Sequence, residues 1–243
     1  MNIEGRNPVI EVLRSDKDVS KLYIQSHLNQ DTKINELVKK AKRRGVKIIR
    51  KSKKELDRIS RTGSHQGVIA IAKHIETKTI EEIISDARIN GKPLKFIYIR
   101  EAFHEYNVGA IIRTAECAGY DAVILPPKLS VTPNIVRASM GASEHIPILS
   151  YSLFPLIKDL TTFGIKVVGI ERDDSAKEYT KADLTGDVAL IVGGEDKPLS
   201  KQILDKCDQT IIIPMRGNVN SLNMSVAAGL SMYEVLRQQE LHS

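Results

Sequence analysis

From Leu94 onward, short apolar runs alternate with segments of helical pattern, and this alternation restricts the possible folds more than any other feature. Six runs stand out, namely LKFIYI, DAVILP, HIPIL, IKVVGI, DVALIVGG and QTIIIPM. Each is apolar on both faces, as strands are when helices cover both sides of a parallel sheet. The segments between them, such as NVGAIIRTAECAG, have helical spacing. The sequence therefore predicts an α/β domain built on a mostly parallel sheet.

The first 75 residues contain the same kinds of element on a smaller scale. NPVIEVLRS and DTKINELVKKAKRRG predict helices, the second with Asp31 as N-cap and Gly45 at its end. SKLYIQS, VKIIRKS and VIAIAKHI predict strands, and KKELDRIS predicts a short helix. Residues 76–93 contain an Asn-Gly pair and a proline, which are typical of a connection. We therefore predict a small α/β domain at 1–75, a linker at 76–93 and a larger domain at 94–243.

Length and composition are those of a globular protein with one large core or two smaller ones, since 42% of the 243 residues are hydrophobic. No apolar stretch reaches the roughly 20 residues that cross a bilayer, and the N-terminal residues lack the pattern of a signal peptide. We therefore expect a cytoplasmic protein with no membrane partner. The only two cysteines, Cys117 and Cys207, indicate neither a disulfide framework nor a metal site.

Positive charge is concentrated in the N-terminal third of the chain. Residues 1–74 contain 18 Lys and Arg against 8 Asp and Glu, a net charge of +10, whereas the whole chain carries +6. The densest run, KKAKRRGVKIIRKSKK, could neutralise several phosphates of a nucleic acid. Its candidate RNA contacts are Lys39, Lys40, Lys42, Arg43 and Arg44. A solvated helix face has a similar composition, so the run alone does not decide between the two.

Three loops are candidate sites, because ligands of open parallel sheets bind at the carboxyl ends of the strands. LKFIYI leads into REAFHEYNVGAIIRT, DVALIV into GGEDKPLS, and TIII into PMRGNVNSLN. Neither a P-loop nor a G-x-G-x-x-G fingerprint is present. Arg113 either binds an anion or pairs with a surface carboxylate. Ser221-Leu222-Asn223 is predicted to begin the last helix, where Ser221 could act as a cap.

Together the three loops resemble, in order and spacing, the motifs of the SpoU/TrmH family in the SPOUT superfamily. The matching residues are NVGAIIRTA at 107–115, LIVGGE at 190–195 and IPMRGNVNSLNMSVA at 213–227. Members of this family are 2′-O-ribose methyltransferases that use S-adenosylmethionine on tRNA or rRNA. IEGRNPVIEVLR and SHQGVIAIAK are similar to the start and end of the L30e-like substrate-binding domain in the subgroup that methylates a guanosine of large-subunit (23S) rRNA.

The resemblance implies a deep trefoil knot, formed by loops 193–195 and 213–223, that binds a bent cofactor. It also implies a homodimer whose partner subunit helps to build the RNA site. The positions that match the family's catalytic polar residues are Asn107, Arg113, Glu195, Ser221 and Asn223. The implied cofactor contacts are Val192, Gly193, Gly194, Ile213, Met215, Gly217, Ser221 and Leu222. In the N-terminal domain, His65 and Gln66 join the basic run as implied RNA contacts.

Two motifs depart from the family pattern. The first often reads Asp-Pro-His-Asn, where this chain has His104-Glu105-Tyr106-Asn107. The second usually continues Glu-Gly-x-Gly, where this chain has Glu195-Asp196-Lys197-Pro198, and the loss of both glycines makes the loop stiffer. Two other functions are compatible with the sequence, a tRNA 2′-O-methyltransferase and an RNA-binding ribosome-assembly factor without catalytic activity.

Overall fold

The chain divides into two units in the computed structural model, which describes residues 2–15, 17–28, 31–72, 78–194 and 197–241. The first unit comprises Met1–Glu76 and Val131–His145, and the second comprises Thr77–Ser130 and Ile146–Ser243. The segment 131–145 therefore packs with the N-terminal residues, although it lies inside the range 94–243 that the sequence assigns to the larger domain.

The strands and helices follow one another in the order expected from the apolar runs. Up to the end of the small sheet they are β1 (Asn2–Glu4), α1 (Arg6–Val12), β2 (Val19–Gln25), α2 (Thr32–Arg43), β3 (Lys47–Lys51), α3 (Lys53–Ile59) and β4 (Val68–Ala72). The next are α4 (Ile80–Ile89), β5 (Lys95–Ile99), α5 (Glu105–Cys117), β6 (Ala122–Leu125), α6 (Pro133–Ala138) and β7 (Ile148–Ser150). The last are α7 (Leu153–Thr162), β8 (Lys166–Ile170), β9 (Lys177–Glu178), β10 (Val188–Val192), α8 (Lys201–Leu204), β11 (Gln209–Ile212) and α9 (Met224–Leu241).

The first unit is built on a four-stranded sheet in the order β1-β4-β2-β3, in which β2 and β3 are parallel and the other pairs antiparallel. The predicted N-cap of α2 is confirmed, because the Asp31 carboxylate accepts a hydrogen bond from the Ile34 amide at 2.9 Å. Segment 131–145 belongs to this unit through the buried Val136 in its core and through an ion pair of 2.8 Å between Lys17 and Glu144. These contacts join residues far apart in sequence.

The second unit is built on a seven-stranded sheet in the order β7-β6-β5-β10-β8-β11-β9, and every neighbouring pair is parallel. The predicted parallel sheet is therefore confirmed. Strand β9 has only two residues and was not indicated by an apolar run. No described helix is both long enough and apolar enough to cross a membrane. The knotted path that the resemblance implies stays a prediction.

The stretch predicted as a linker forms α4, whose apolar face lies in the core of the second unit. A capping box begins the helix, with the Thr79 hydroxyl accepting from the Glu82 amide and the Glu82 carboxylate accepting from the Thr79 amide. Its buried residues are Ile80, Ile83, Ile84 and Ala87, at the spacing of one helix face. Most of 76–93 therefore contributes to the core and does not act as a free connection.

Candidate active site

A cavity of about 420 Å³ lies at the carboxyl ends of β8 and β11, which are neighbours in the large sheet. Five of the predicted cofactor contacts line it, namely Ile213, Met215, Gly217, Ser221 and Leu222. The other lining residues are Ile170, Glu171, Arg172, Ile211, Ile212, Pro214, Asn220 and Ala227. The walls are thus largely apolar, with a few polar groups at the loop ends. This combination is typical of a small-molecule site.

Glu171 is the first residue after β8 and connects the cavity wall to the loop after β10. Its carboxylate accepts hydrogen bonds from the Leu199 amide at 2.7 Å and from the Arg172 amide at 2.9 Å. Gly193 lies beside both groups, since a Cβ at that position would be in ordinary van der Waals contact with them, 3.4 Å from Glu171 Oε2 and 3.5 Å from the Leu199 nitrogen. The predicted cofactor residues Val192, Gly193 and Gly194 therefore border the loop that Glu171 holds, and they do not line the cavity itself.

The described part of the second motif is held by residues after β5. Arg100 Nη1 donates to the Pro198 carbonyl at 2.7 Å, and Lys197 Nζ lies 3.1 Å from Glu101 Oε1. The Gly194 amide donates to the Lys197 carbonyl at 2.9 Å. Glu195, predicted to be catalytic, and Asp196 lie outside the described residues.

Asn223 joins the first and third motifs. Its Oδ1 accepts from the Ser225 amide at 2.8 Å, so it caps α9. Its Nδ2 donates to Asn107 Oδ1 at 3.1 Å, in the first turn of α5. The last helix therefore begins at Met224, and the prediction that it begins at Ser221 is wrong because Asn223 takes the capping position. Ser221 stays in the loop and lines the cavity.

Arg113 lies on the exposed side of α5 and does not line the cavity of this chain. One face of α5 carries the exposed Tyr106 and Arg113, two turns apart. The neighbouring helix α9 exposes Val226, Leu230 and Tyr233 at the spacing of one face. The two helices are in contact, since a Cβ on Gly229 would lie 3.7 Å from Thr114 Cγ2. The exposed surface of this pair therefore contains several large apolar side chains as well as Arg113.

The residues predicted to bind RNA fall in two places on the first unit. His65 and Gln66 line a groove of about 1010 Å³ near the start of α2. His65 itself is 4% exposed, with Nδ1 accepting from the Gly67 amide at 2.9 Å and Nε2 lying 2.9 Å from Asp57 Oδ1. Its ring therefore positions the turn and has no nitrogen left for RNA.

The basic run lies toward the other end of α2, where Lys39, Lys42 and Arg43 are exposed. Lys40 is half-buried, 3.9 Å from Glu36. Arg44 differs from its neighbours, because its guanidinium donates to the carbonyls of Val12, Ser15 and Lys17 at 3.0, 2.7 and 2.5 Å. These bonds hold the end of α1 and the turn after it, so Arg44 has a structural role that its sequence context did not indicate.

The cavity fits the cofactor that the motifs imply. Apolar walls suit an adenine ring, whereas the Glu171 carboxylate and the Ser221 hydroxyl offer partners for hydroxyl or ammonium groups. Among the described residues there is no cluster of His, Cys, Asp and Glu able to hold a metal ion. Glu171 was missed in the sequence, although a charged residue directly after the apolar run IKVVGI was a usable signal.

Two family models match the chain. Residues 95–233, more than half of its length, match the model of the SpoU rRNA Methylase family. Residues 2–78 match a model described as RNA 2′-O ribose methyltransferase substrate binding. The two matches correspond to the part of the chain that contains the cavity and to the part that contains the groove.

Relatives and solved structures agree with these matches. A Bacillus subtilis (strain 168) protein assigned to the TrmH family of tRNA/rRNA methyltransferases is 35% identical over 239 residues, covering 97% of this chain and 94% of the relative. The crystal structure of an RNA 2′-O ribose methyltransferase has a TM-score of 0.80 at 24% identity, covering 98% of this chain and 88% of that one. AviRb from Streptomyces viridochromogenes, in complex with AdoMet, has a TM-score of 0.78 at 22% identity, covering 100% and 91%. These structures share the fold of this chain.

Proposed function

Because the chain belongs to the SpoU family of RNA 2′-O-ribose methyltransferases, which use S-adenosylmethionine, we propose that it methylates the ribose of a guanosine in large-subunit (23S) rRNA. Support for an rRNA substrate comes from the N-terminal residues, whose segments IEGRNPVIEVLR and SHQGVIAIAK resemble the rRNA subgroup. The same residues match the substrate-binding model. A tRNA substrate is the alternative, since the relatives are assigned to tRNA and rRNA methylation together.

The hydrogen bond between Asn223 and Asn107 carries this proposal. It places the first turn of α5, which belongs to the first motif, against the loop that lines the cavity. The first motif, to which the resemblance assigns catalytic residues, and the loop that lines the cavity therefore meet at one edge of the sheet. Such an arrangement is required for direct transfer, because the attacking oxygen must lie close to the methyl carbon.

S-adenosylmethionine, when bound, supplies an activated methyl group on its sulfonium. We assign Ile213, Met215 and Leu222 to adenine and the Glu171 and Ser221 side chains to the polar part of the cofactor. A Cβ at Gly217 would have no described neighbour within 4 Å, so this lining residue borders open space. These assignments use side chains already placed at the cavity wall.

The reaction requires removal of the proton from a ribose hydroxyl, a poor nucleophile at neutral pH. A guanidinium stays protonated at neutral pH and therefore cannot accept the proton. Arg113 instead stabilises negative charge on the 2′-oxygen or binds an adjacent phosphate. Asn107 and Asn223 orient the ends of α5 and α9 through their mutual hydrogen bond. The catalytic role of Glu195 stays a prediction.

We further propose that the chain forms a homodimer through α5 and α9. Tyr106, Val226, Leu230 and Tyr233 are 40 to 64% exposed, an unusual density of large apolar side chains on one helix pair. We assign a second copy of the chain to this surface, because two-fold dimers bury the same patch on both subunits. Arg113 lies on the same surface, so the partner subunit would complete its surroundings.

Labelled methyl transfer onto purified RNA tests the proposed function. Large-subunit rRNA and tRNA are taken from cells that lack this protein, incubated with the chain and tritiated S-adenosylmethionine, and the modified nucleotide is mapped. We expect label on a ribose 2′-oxygen of a guanosine in rRNA. Label on tRNA alone would show that tRNA, and not rRNA, is the substrate. If no methyl group is transferred and calorimetry detects no binding of S-adenosylmethionine, the chain is better described as an RNA-binding assembly factor without catalytic activity.

A further inference from the structure

The groove on the first unit combines positive charge with amide groups. Arg6, Lys33, Lys53 and Arg137 line it, and these four cations outnumber the two carboxylates in its wall, Asp31 and Asp57. Asp31 pairs with Arg6 and caps α2, while Asp57 lies against His65. The groove therefore has the charge that attracts phosphates.

Gln66 lies in this groove with an uncommon backbone conformation. Its φ is +51° and that of Gly67 is +81°, and the Val68 amide donates to the His65 carbonyl at 2.9 Å to close the turn. Positive φ at both central residues is the feature of a type I′ turn, which selects Gly, Asn or Asp at the first of them. Glutamine in this conformation is strained, and such strain persists where the surroundings determine it, often at binding sites.

The surroundings of Gln66 fix both its backbone and its side chain. The Arg6 amide donates to Gln66 Oε1 at 3.1 Å, and Arg6 Nε donates to the Gln66 carbonyl at 3.4 Å. The buried His65 ring stabilises the turn, because its Nδ1 accepts a hydrogen bond from the Gly67 amide. Gly67 cannot be replaced without displacing Leu28, since a Cβ there would lie 2.8 Å from Leu28 Cδ1. The exposed carboxamide is thus oriented before any ligand binds.

We propose that this groove binds a single-stranded segment of the RNA substrate, with the carboxamide of Gln66 hydrogen-bonding to a base edge and Lys33, Lys53 and Arg137 contacting phosphates. The inference rests on the proposed function and adds where the RNA is read. A carboxamide presents a donor and an acceptor side by side, as base edges do. Base edges of RNA are accessible in unpaired segments, because the major groove of an RNA duplex is too narrow for side chains.

The groove differs from the basic run in position as well as in chemistry. Lys33 is in the first turn of α2 and Arg43 is its last residue, so the two lie about 15 Å apart along the helix. The segment KKAKRR that ends near Arg43 contains cations and one alanine, a composition that attracts phosphates but offers no carboxamide to a base. In this proposal the basic run attracts the RNA phosphates at long range, and the groove recognises an unpaired nucleotide.

Gln66→Gly and Met140→Gly make a matched pair of variants in the full-length chain. Met140 has a similar strained backbone, with a φ of +55°, and does not line the groove. Both substitutions relieve strain, but only Gln66→Gly removes a carboxamide from the groove. Affinity is measured by fluorescence anisotropy with a short labelled RNA of mixed sequence, either single-stranded or annealed to its complement, and Tm is measured on the same samples.

We expect Gln66→Gly to weaken binding of the single-stranded RNA about tenfold, with no loss of Tm and an unchanged salt dependence, because every phosphate-binding cation is kept. Met140→Gly should bind as the parent does. The proposal is overturned if Gln66→Gly binds single-stranded RNA like the parent, if duplex RNA loses affinity by the same factor, or if both variants lose affinity together with Tm.

Methyl transfer by the parent chain separates this inference from the proposed function. If the parent transfers methyl groups to rRNA and Gln66→Gly binds RNA as the parent does, the groove is not the RNA-binding site but the proposed methyltransferase function stands. If Gln66→Gly binds RNA more weakly and the parent transfers no methyl group to rRNA or tRNA, RNA binding in the groove is supported and the proposed rRNA methylation is rejected.

Discussion

The cavity of the second unit and the groove of the first unit are built in opposite ways. The cavity is made by loops at the carboxyl ends of neighbouring parallel strands, and its walls are mainly apolar. The groove is made by side chains from helices and from a strained turn, and it is mainly cationic and polar. A largely apolar cavity suits a small cofactor that loses its water shell on binding, whereas an open charged groove suits a polymer that keeps much of its hydration.

Each site also depends on one carboxylate that holds a loop through backbone amides. At the cavity, Glu171 accepts from Leu199 and Arg172. Beside the groove, the buried Glu4 accepts from the Arg61 amide and from the hydroxyls of Ser60 and Thr62, each at 2.6 Å. Variants at the two carboxylates should therefore affect different ligands. Measuring S-adenosylmethionine and RNA affinity on every variant tests whether the two sites are energetically independent.

The largest effect is expected for Arg113→Ala. Removing the guanidinium should lower kcat by about 10² to 10³, the usual loss when one group that stabilises developing charge is deleted. Cofactor affinity should stay within a few-fold of the parent, because Arg113 does not line the cavity. Methyl-transfer rates and calorimetry on the same preparation give the two values. Equal losses of kcat and cofactor affinity would contradict the role assigned to Arg113, and Arg113→Lys, which keeps the charge without the planar fork, should recover part of the rate.

Glu171→Ala should weaken S-adenosylmethionine binding by about 10- to 100-fold. The variant leaves the Leu199 amide without its charged acceptor and frees the loop after β10. Glu171→Gln is the control, since its carbonyl oxygen can accept one of the two amides, and its loss should be smaller. RNA affinity should not change in either variant. Unchanged calorimetric affinity in Glu171→Ala would exclude Glu171 from cofactor binding.

Glu4→Gln should lower the free energy of unfolding by about 1 to 3 kcal/mol at neutral pH. Burial tends to raise the pKa of the Glu4 carboxyl, but hydrogen bonds from Arg61, Ser60 and Thr62 bring it below its ordinary value of 4.5. A lowered pKa means that the carboxylate stabilises the fold above pH 4.5 and that this contribution is lost as the pH falls through the lowered value.

Thermal unfolding between about pH 3 and pH 7 measures this contribution, with the parent losing more stability toward acid than Glu4→Gln. The variant should also bind RNA more weakly, because residues 60–62 lead into the turn of Gln66, while its cofactor affinity should be unchanged. Parallel pH curves for the two chains would show that Glu4 does not account for the acid sensitivity.

The comparison also shows which parts of the molecule a sequence can predict. Apolar runs located the large sheet and six of its seven strands, because burial on both faces leaves a pattern in consecutive residues. Motif spacing located five residues of the cavity wall. Val136 left no comparable signal, since its place in the core of the first unit depends on packing against residues more than a hundred positions away.

Side-chain roles were harder to predict than elements. Gln66 occupies a position where turn chemistry favours glycine or asparagine, so its conformation is set by Arg6 and His65 and not by its own preference. The same applies to the stretch 76–93, in which a proline and an Asn-Gly pair suggested a linker. Its apolar residues follow the spacing of a helix face, and this stretch forms α4 because those residues pack into the core of the second unit.

The smallest effect is expected in the basic run, where Arg44 provides the control. Replacing Lys39, Lys42 and Arg43 together by Gln should reduce the slope of log K against log[salt] for RNA binding by about 0.7 to 0.9 for each phosphate that is no longer neutralised. Tm should change little, because these side chains are exposed. Arg44→Gln should do the reverse, lowering Tm by several degrees (about 1 to 3 kcal/mol) with a smaller change in slope, because it breaks three bonds to backbone carbonyls. An unchanged slope in the triple variant would identify the run as a solvated helix face and leave the groove as the RNA-binding surface of the first unit.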